Sequence, residues 1–273
     1  MKVTQFNNKT ILITGANSGI GEAITLLLAQ SSANLFLTGR NVERLKAVGE
    51  KCETIRKSLS GQSDCSIRLF DVDFSAQQSI DLFVETLLKE CVFFDYMILN
   101  AGISQRSLTL ETDFAVDRAI METNFFGPVY FTKRLTGMLL NGKPVHISIT
   151  SSISGLFGFP LRSAYCASKH ALFGFYEALE LENPSIKVTF LIPGRINTPI
   201  SQNALIGDGS TYSMMDVGQA NGMDVNKCAR IALRAIHKGK HRQLIGGKDL
   251  LMVYLKKFAP PLFYWLARKV SAT

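Results

Sequence analysis

Tyr165 and Lys169, in the stretch YCASK, set a phenol and an ammonium four residues apart. On a helix that spacing puts both side chains on one face. A free tyrosine titrates near ~10 and is a poor base at neutral pH, but a neighbouring cation favours its phenolate. Bringing the phenol to ~7 takes about 4 kcal/mol, and a desolvated cation a few ångströms away supplies that order of magnitude. Such a pair can pass a proton to a carbonyl oxygen or take one from an alcohol. The spacing alone does not make a site. Tyr130/Arg134 and Tyr264/Arg268 repeat it, and a surface pair reads the same way.

A second group of residues suits a phosphate-bearing ligand. In ILITGANSGIGEAITLLLAQ a short apolar run leads into Gly15, Gly19 and Gly21 and then a helical pattern. Glycines there permit a tight turn and close backbone approach, and the N–H groups opening the helix can hold a pyrophosphate. The spacing is G-x-x-x-G-x-G, not the G-x-G-x-x-G of two-domain dehydrogenases. The next apolar run ends LFLTGR. An acidic residue there would bind a ribose 2′-hydroxyl, but Gly39 and Arg40 stand in its place. Without the carboxylate a 2′-phosphate is not repelled, and Arg40 can make a charge-assisted contact to it. Asn17 and Ser18 add polar groups on the same loop.

The elements that must position these residues alternate. Strand-like runs cover 10–14, 34–38, 66–70, 95–99, 145–150, 186–192 and 241–245. Helical patterns cover 20–31, 40–59, 75–91, 112–140, 164–182 and 224–237. Strict β-α alternation with Val/Ile/Leu-rich strands predicts an α/β fold, a parallel sheet of about seven strands with helices on both faces. No Pro/Gly/Ser linker divides the chain, so it reads as one domain over residues 1–273. Two segments fall outside the rhythm: 199–223, rich in Gly, Asn, Ser and Met, and the apolar tail 248–273.

Composition narrows the classes. With 273 residues, 47% hydrophobic and 19% charged, the chain is globular rather than disordered. The net charge of +8 is spread out, with no basic arm or nucleic-acid-binding motif, so a nucleic-acid partner is not expected. Five cysteines, an odd number without C-x-x-C, suit reduced thiols and a cytoplasmic setting. The four histidines make no ligand spacing, so no metal is expected. The N-terminal apolar run is only a strand long and reads as no signal peptide.

TGANSGIG (14–21), NAG (100–102), Asn124 in METNFFGP, Ser152 in SSISG, YCASK and PGRINT (193–198) occur in the order and spacing of the short-chain dehydrogenase/reductase family, which this chain resembles over about residues 7–247. It is most similar to single-domain NADP-dependent members, including 11β-hydroxysteroid-dehydrogenase-like enzymes with a hydrophobic C-terminal extension. The resemblance implies a Rossmann-type doubly wound sheet and a hydride-transferring oxidoreductase. It implies NADP(H) in preference to NAD(H). Tyr165 is then the general acid/base, and Lys169 supports it and binds the nicotinamide ribose. Ser152, preferred to Ser151 on family spacing, polarises the carbonyl oxygen. Asn124, an unusual choice within a helix, kinks that helix and holds a relay water. Cofactor contacts fall to Gly15, Asn17, Ser18, Gly19, Ile20, Gly21 and Arg40 in the first half. Asp71 and Val72 meet the adenine, and Asn100, Ala101 and Gly102 follow at the fourth strand. Pro193, Gly194, Ile196 and Thr198 hold the carboxamide and pyrophosphate.

Segment 199–223 reads as a substrate lid, with Leu205, Ile206, Tyr212, Met214 and Met215 as an adaptable apolar lining. That favours a small hydrophobic carbonyl or alcohol substrate. The tail is too short and interrupted to span a bilayer. It packs over a subunit interface or the substrate entrance, lies in a membrane interface as a peripheral contact, or completes the core. A tail after the last strand obstructs the edge used in family tetramers, which favours a homodimer. Two rivals differ in class. A catalytically silent NADP(H) sensor would have lost Tyr165 or Lys169, and both are present. A sugar-nucleotide epimerase would carry G-x-x-G-x-x-G and a larger C-terminal lobe, and both are absent.

Overall fold

The computed structural model describes residues 3–59 and 65–269. The seven strands are β1 (Thr10–Thr14), β2 (Asn34–Gly39), β3 (Ile67–Asp71), β4 (Tyr96–Leu99), β5 (Val145–Thr150), β6 (Ile186–Pro193) and β7 (Arg242–Ile245). They form one parallel sheet in the order β3-β2-β1-β4-β5-β6-β7. Leu12 of β1 pairs with Phe36 on one side and Met97 on the other. Strand order reverses between β1 and β4, so loops diverge at their carboxyl ends and leave the crevice where such sheets bind ligands.

Helices cover both faces, which is why β5 is buried along its whole length. On one face α1 (Gly19–Leu28), α2 (Val42–Lys57) and α9 (Val225–His237) bury Ile24, Leu45 and Leu233 against Ile11, Ile13 and Leu35. On the other, α3 (Gln77–Lys89), α5 (Gly127–Arg134) and α7 (Ser163–Glu182) bury Phe83, Phe131 and Tyr176 against Leu12, Ile147 and Phe190.

The long helix predicted over 112–140 is broken. It runs as α4 (Phe114–Met121), a π-helical turn over Glu122–Phe126, α5 and a short α6 (Thr136–Leu139). Pro128 has no N–H to return to the carbonyl of Asn124, and the Gly127 N–H reaches back five residues to Glu122 O instead. Segment 199–223 contains one short helix, α8 (Val217–Ala220), and is stitched down by bridges Gln105–Leu205 and Ile196–Met223. The tail forms α10 (Leu251–Phe258) and α11 (Pro260–Ala267), separated where Pro260 starts a new helix. The last four residues of the predicted extension lie outside the described residues.

Candidate active site

A cleft of about 1590 Å³ opens at the carboxyl ends of the strands. Its floor is the β1–α1 loop, where Gly15 and Gly19 have φ of +65° and +55°. Gly21 is required by packing, because a Cβ there would stand 2.1 Å from Gly15 O. Thr14 and Asn100 tie this loop to β4. The N–H groups of Asn100 and Ala101 donate to Thr14 Oγ1 at 2.9 and 3.0 Å, and Asn100 Nδ2 donates to Thr14 O at 3.2 Å. Ser18 is the N-cap of α1 but makes no side-chain capping bond, so the N–H groups opening α1 keep their affinity for an anion. That open helix end and the glycine cradle fit a dinucleotide pyrophosphate.

Of the residues singled out for the cofactor, Gly15, Asn17, Ser18, Gly19, Ile20, Arg40, Val72, Asn100, Ala101, Gly102, Pro193, Gly194, Ile196 and Thr198 line the cleft, with Tyr165 and Lys169. Gly21 lies beneath the lining, and Asp71 ends β3 exposed and outside it. Arg40 is exposed at the end of β2, and Arg44, one turn into α2, joins it on the cleft wall. Thr198 packs against Gly19, and Gln219 Nε2 donates to both Ile196 O and Thr198 Oγ1.

Ser152, Tyr165 and Lys169 line the inner end of the cleft, Asn124 sits behind it beside Lys169 and Gly102, and all four are buried. Tyr165 and Lys169 share a face of α7, with Nζ 5.8 Å from the phenol ring centroid. Lys169 Nζ donates to Thr150 O at 2.9 Å. Burial pushes this lysine down to about 8. Burial pushes the Tyr165 phenol up; a hydrogen bond with Ser152 and the charges of Arg106 and Arg162 pull it the other way. Arg106 and Arg162 thus join Lys169 as cations near the phenol, while the Lys169 ammonium is also held by the carbonyl of Thr150. Ser152 Oγ accepts from Ser154 N at 3.1 Å and donates to Pro193 O at 3.3 Å. Asn124 sits in the π turn. Its Oδ1 accepts from Ile103 N at 2.8 Å, while Nδ2 donates to Ile103 O at 2.9 Å and Ser168 Oγ at 3.0 Å.

The short-chain dehydrogenase family model matches residues 9–207. The chain is 36% identical to dehydrogenase/reductase SDR family member 7B of Xenopus laevis, covering 93% of this chain and 79% of that one. It is 34% identical to the family protein 7-like of Anopheles gambiae, covering 96% and 83%. The chain belongs to the short-chain dehydrogenases. Solved short-chain dehydrogenases share its fold. One from Burkholderia phymatum, in complex with NAD, superposes with a TM-score of 0.79 at 19% identity, covering 94% of this chain and 96% of that one. An alcohol dehydrogenase from Thermococcus sibiricus, complexed with 5-hydroxy-NADP, gives 0.73 at 21%, covering 88% and 97%. The protein is accordingly an oxidoreductase of the class that interconverts CH–OH and C=O.

Three features of this short-chain dehydrogenase escaped the sequence. Asp216 receives Arg106 through Nε at 2.9 Å and Nη2 at 2.6 Å, and Arg162 through Nη2 at 3.1 Å, all on the cleft wall. Asp249 accepts from Arg195 N and Gly247 N at 2.8 Å each, and its carboxylate occupies the space a Cβ on Gly194 would need. Gly194 therefore admits the tail's first turn to the cleft edge. The expected apolar lining by Leu205, Ile206, Tyr212, Met214 and Met215 is not formed. None of the five lines the cleft; Leu205 packs instead against Val116, Ile120 and Tyr165, and Met214 points to solvent. The segment instead presents Pro199, Ile200, Asn203, Gln219 and Met223, and the apolar wall comes from Ile153, Phe157, Phe159 and Met252.

Proposed function

We propose that this short-chain dehydrogenase uses NADP(H) to interconvert a hydrophobic ketone or aldehyde and its alcohol, with Tyr165 as general acid/base. The observation that carries the reading is the buried convergence of Ser152, Tyr165 and Lys169 at the inner end of a cleft whose outer end holds Arg40 and Arg44. The nicotinamide, when bound, supplies or accepts the hydride.

The chain's own residues handle the oxygen. Ser152 Oγ donates a hydrogen bond to the substrate oxygen as negative charge develops there. Tyr165 Oη gives that oxygen a proton during reduction and takes it back during oxidation. Lys169, held by Thr150 O, keeps a cation beneath the phenol at neutral pH and offers a donor to the nicotinamide ribose. Asn124, pinned by Ile103, holds the π turn beside Gly102 and Lys169 and positions the water that returns the proton. Arg40 and Arg44 bind the 2′-phosphate, while Asn17 and Ser18 bind nearby phosphate oxygens. Gly194, Ile196 and Thr198 fix the carboxamide face. Phe157, Phe159 and Met252 receive the apolar body of the substrate, and 199–223 closes over it. Phe114 and Phe126, exposed on α4 and the π turn, supply an apolar face for a homodimer.

Purified protein tested with NADPH and NADH across hydrophobic ketones and aldehydes checks the reading. NADPH oxidation that vanishes in Tyr165→Phe, with NADPH binding retained, is the expected result. Binding without turnover of any substrate would favour the silent sensor, and a preference for NADH would overturn the cofactor assignment.

A further inference from the structure

The tail helices have two different sides. Their inner side packs Phe263 and Ala267 against Phe157, with Met252, Val253 and Leu255 partly buried beside them. Their outer side carries Leu251, Tyr254, Phe258, Leu262, Tyr264 and Trp265 at 46–72% exposure. Six large apolar side chains exposed on two consecutive short helices are a local concentration rather than scattered surface residues. Cations sit on its aromatic rings: Lys256 Nζ lies 4.3 Å from the Tyr264 centroid and Lys269 Nζ 3.8 Å from that of Trp265. From Leu250 to Lys269 there are four basic residues (Lys256, Lys257, Arg268 and Lys269) and no acidic one.

We propose that this outer face of α10 and α11 docks on an anionic lipid surface. Trp, Tyr and Lys together are the residues that settle at the boundary between headgroups and acyl chains, with apolar bodies inward and charged tips in water. Charge decides between occupants. A second copy of the chain would bring the same unbalanced cations face to face, whereas anionic headgroups neutralise them. The attachment lies in the surface plane, because no described helix is long and apolar enough to cross a membrane. Met252 and Phe157 line the cleft from beneath the same helices, so docking sets the cleft mouth at the lipid. The docking itself stands apart from the redox reading; delivery of a lipid-dissolved carbonyl substrate rests on it.

Trp265 is the only tryptophan, so its emission reports the contact directly. The full chain is titrated with vesicles of phosphatidylcholine alone and of phosphatidylcholine mixed with phosphatidylserine, and bound protein is also measured by co-sedimentation. The mixed vesicles should shift the emission to the blue and bind at least ~10-fold more tightly than the neutral ones, with the difference lost in high salt. Lys256→Gln/Lys257→Gln/Lys269→Gln should weaken co-sedimentation by ~10- to 100-fold. Phe258→Ser/Leu262→Ser should abolish the blue shift while lipid-free cofactor oxidation and the far-ultraviolet spectrum stay as in the parent. No shift with either vesicle overturns the proposal, as does equal binding to both. A blue shift that grows with protein concentration without lipid, accompanied by dimer in sedimentation, assigns the face to a second copy and overturns it too. Loss of turnover with docking intact would strike only the redox reading.

Discussion

Asp216→Ala tests what holds segment 199–223 against the cleft. Asp216 and Arg106 are almost wholly buried, and Arg162 nearly so, with both guanidiniums on one carboxylate. Burial, then the neighbouring Arg106 charge, already push Arg162 down to about 10. Removing the carboxylate leaves two buried cations without that partner, a loss of about 3–5 kcal/mol for a broken buried pair. The segment is otherwise attached by a handful of main-chain bonds: Arg106 N to Leu205 O and Asp113 N to Gly207 O at 2.8 Å, and Leu205 N to Ser104 O, Met223 N to Arg195 O and Asn197 N to Met223 O at 2.9 Å. The cost should therefore appear as local opening rather than global unfolding. At ~1.4 kcal/mol per decade, the opening equilibrium rises by roughly two to three and a half orders of magnitude. Native-state hydrogen exchange reads this at the amides of Leu205, Tyr212 and Met223, with Leu12 and Ile147 of the sheet as references. The expected result is protection lost in the segment and kept in the sheet. Unchanged exchange at Leu205 would refute the latch, and equal loss in the sheet would refute its local character.

Lys169→Met should abolish turnover, yet its stability relative to the parent should depend on pH in a defined direction. Burial holds the ammonium at about 8 when folded, below the ordinary lysine value of 10.5, so between these values the unfolded chain binds more protons and the parent gains stability as pH rises. Thermal melts should show Lys169→Met at its greatest relative advantage near pH 7, declining as pH rises above 8; a flat difference would contradict the burial argument. Arg40→Asp should weaken NADPH binding by ~10- to 100-fold while changing NADH little, and Arg44→Ala should do so to a lesser degree, as expected for charge-assisted bonds to a 2′-phosphate. Calorimetric titration with both cofactors checks this, and equal losses for the two would show that neither arginine meets the phosphate.

What was legible in the sequence was local. The β1–α1 turn, the alternation of strands and helices and the shared face of Tyr165 and Lys169 each follow from periods or spacings within about twenty residues, where backbone geometry dictates direction. Arg44 was also within reach, since it stands in the first turn of the helix that Arg40 leads into. Other features depend on where distant side chains point. Arg106 and Asp216 are separated by 110 positions, and neither carries a local signal of burial. Leu205 and Met214 read as a pocket lining by composition, but one packs against Val116 and Ile120 and the other faces water. Pro128 did give a local warning, and a helix run straight through it ignored the missing N–H that produces the π turn.

That π turn shows how a local rule and a distant contact combine. Pro128 alone removes a hydrogen bond at Asn124 O but does not say where the Asn124 side chain will go. Its direction is set by Ile103, whose N–H and carbonyl both engage the amide. Ile103 is itself placed by the end of β4, which Thr14 fastens to the glycine loop. The glycine loop and Tyr165 are thus joined by the Thr14–Asn100 hydrogen bond, the backbone from Asn100 to Ile103, and the hydrogen bonds from Ile103 through Asn124 and Ser168 to Tyr165 O. A change at Thr14 acts first on the cradle and reaches Tyr165 only through that chain, so a disturbance of the loop should weaken cofactor binding before it weakens proton transfer.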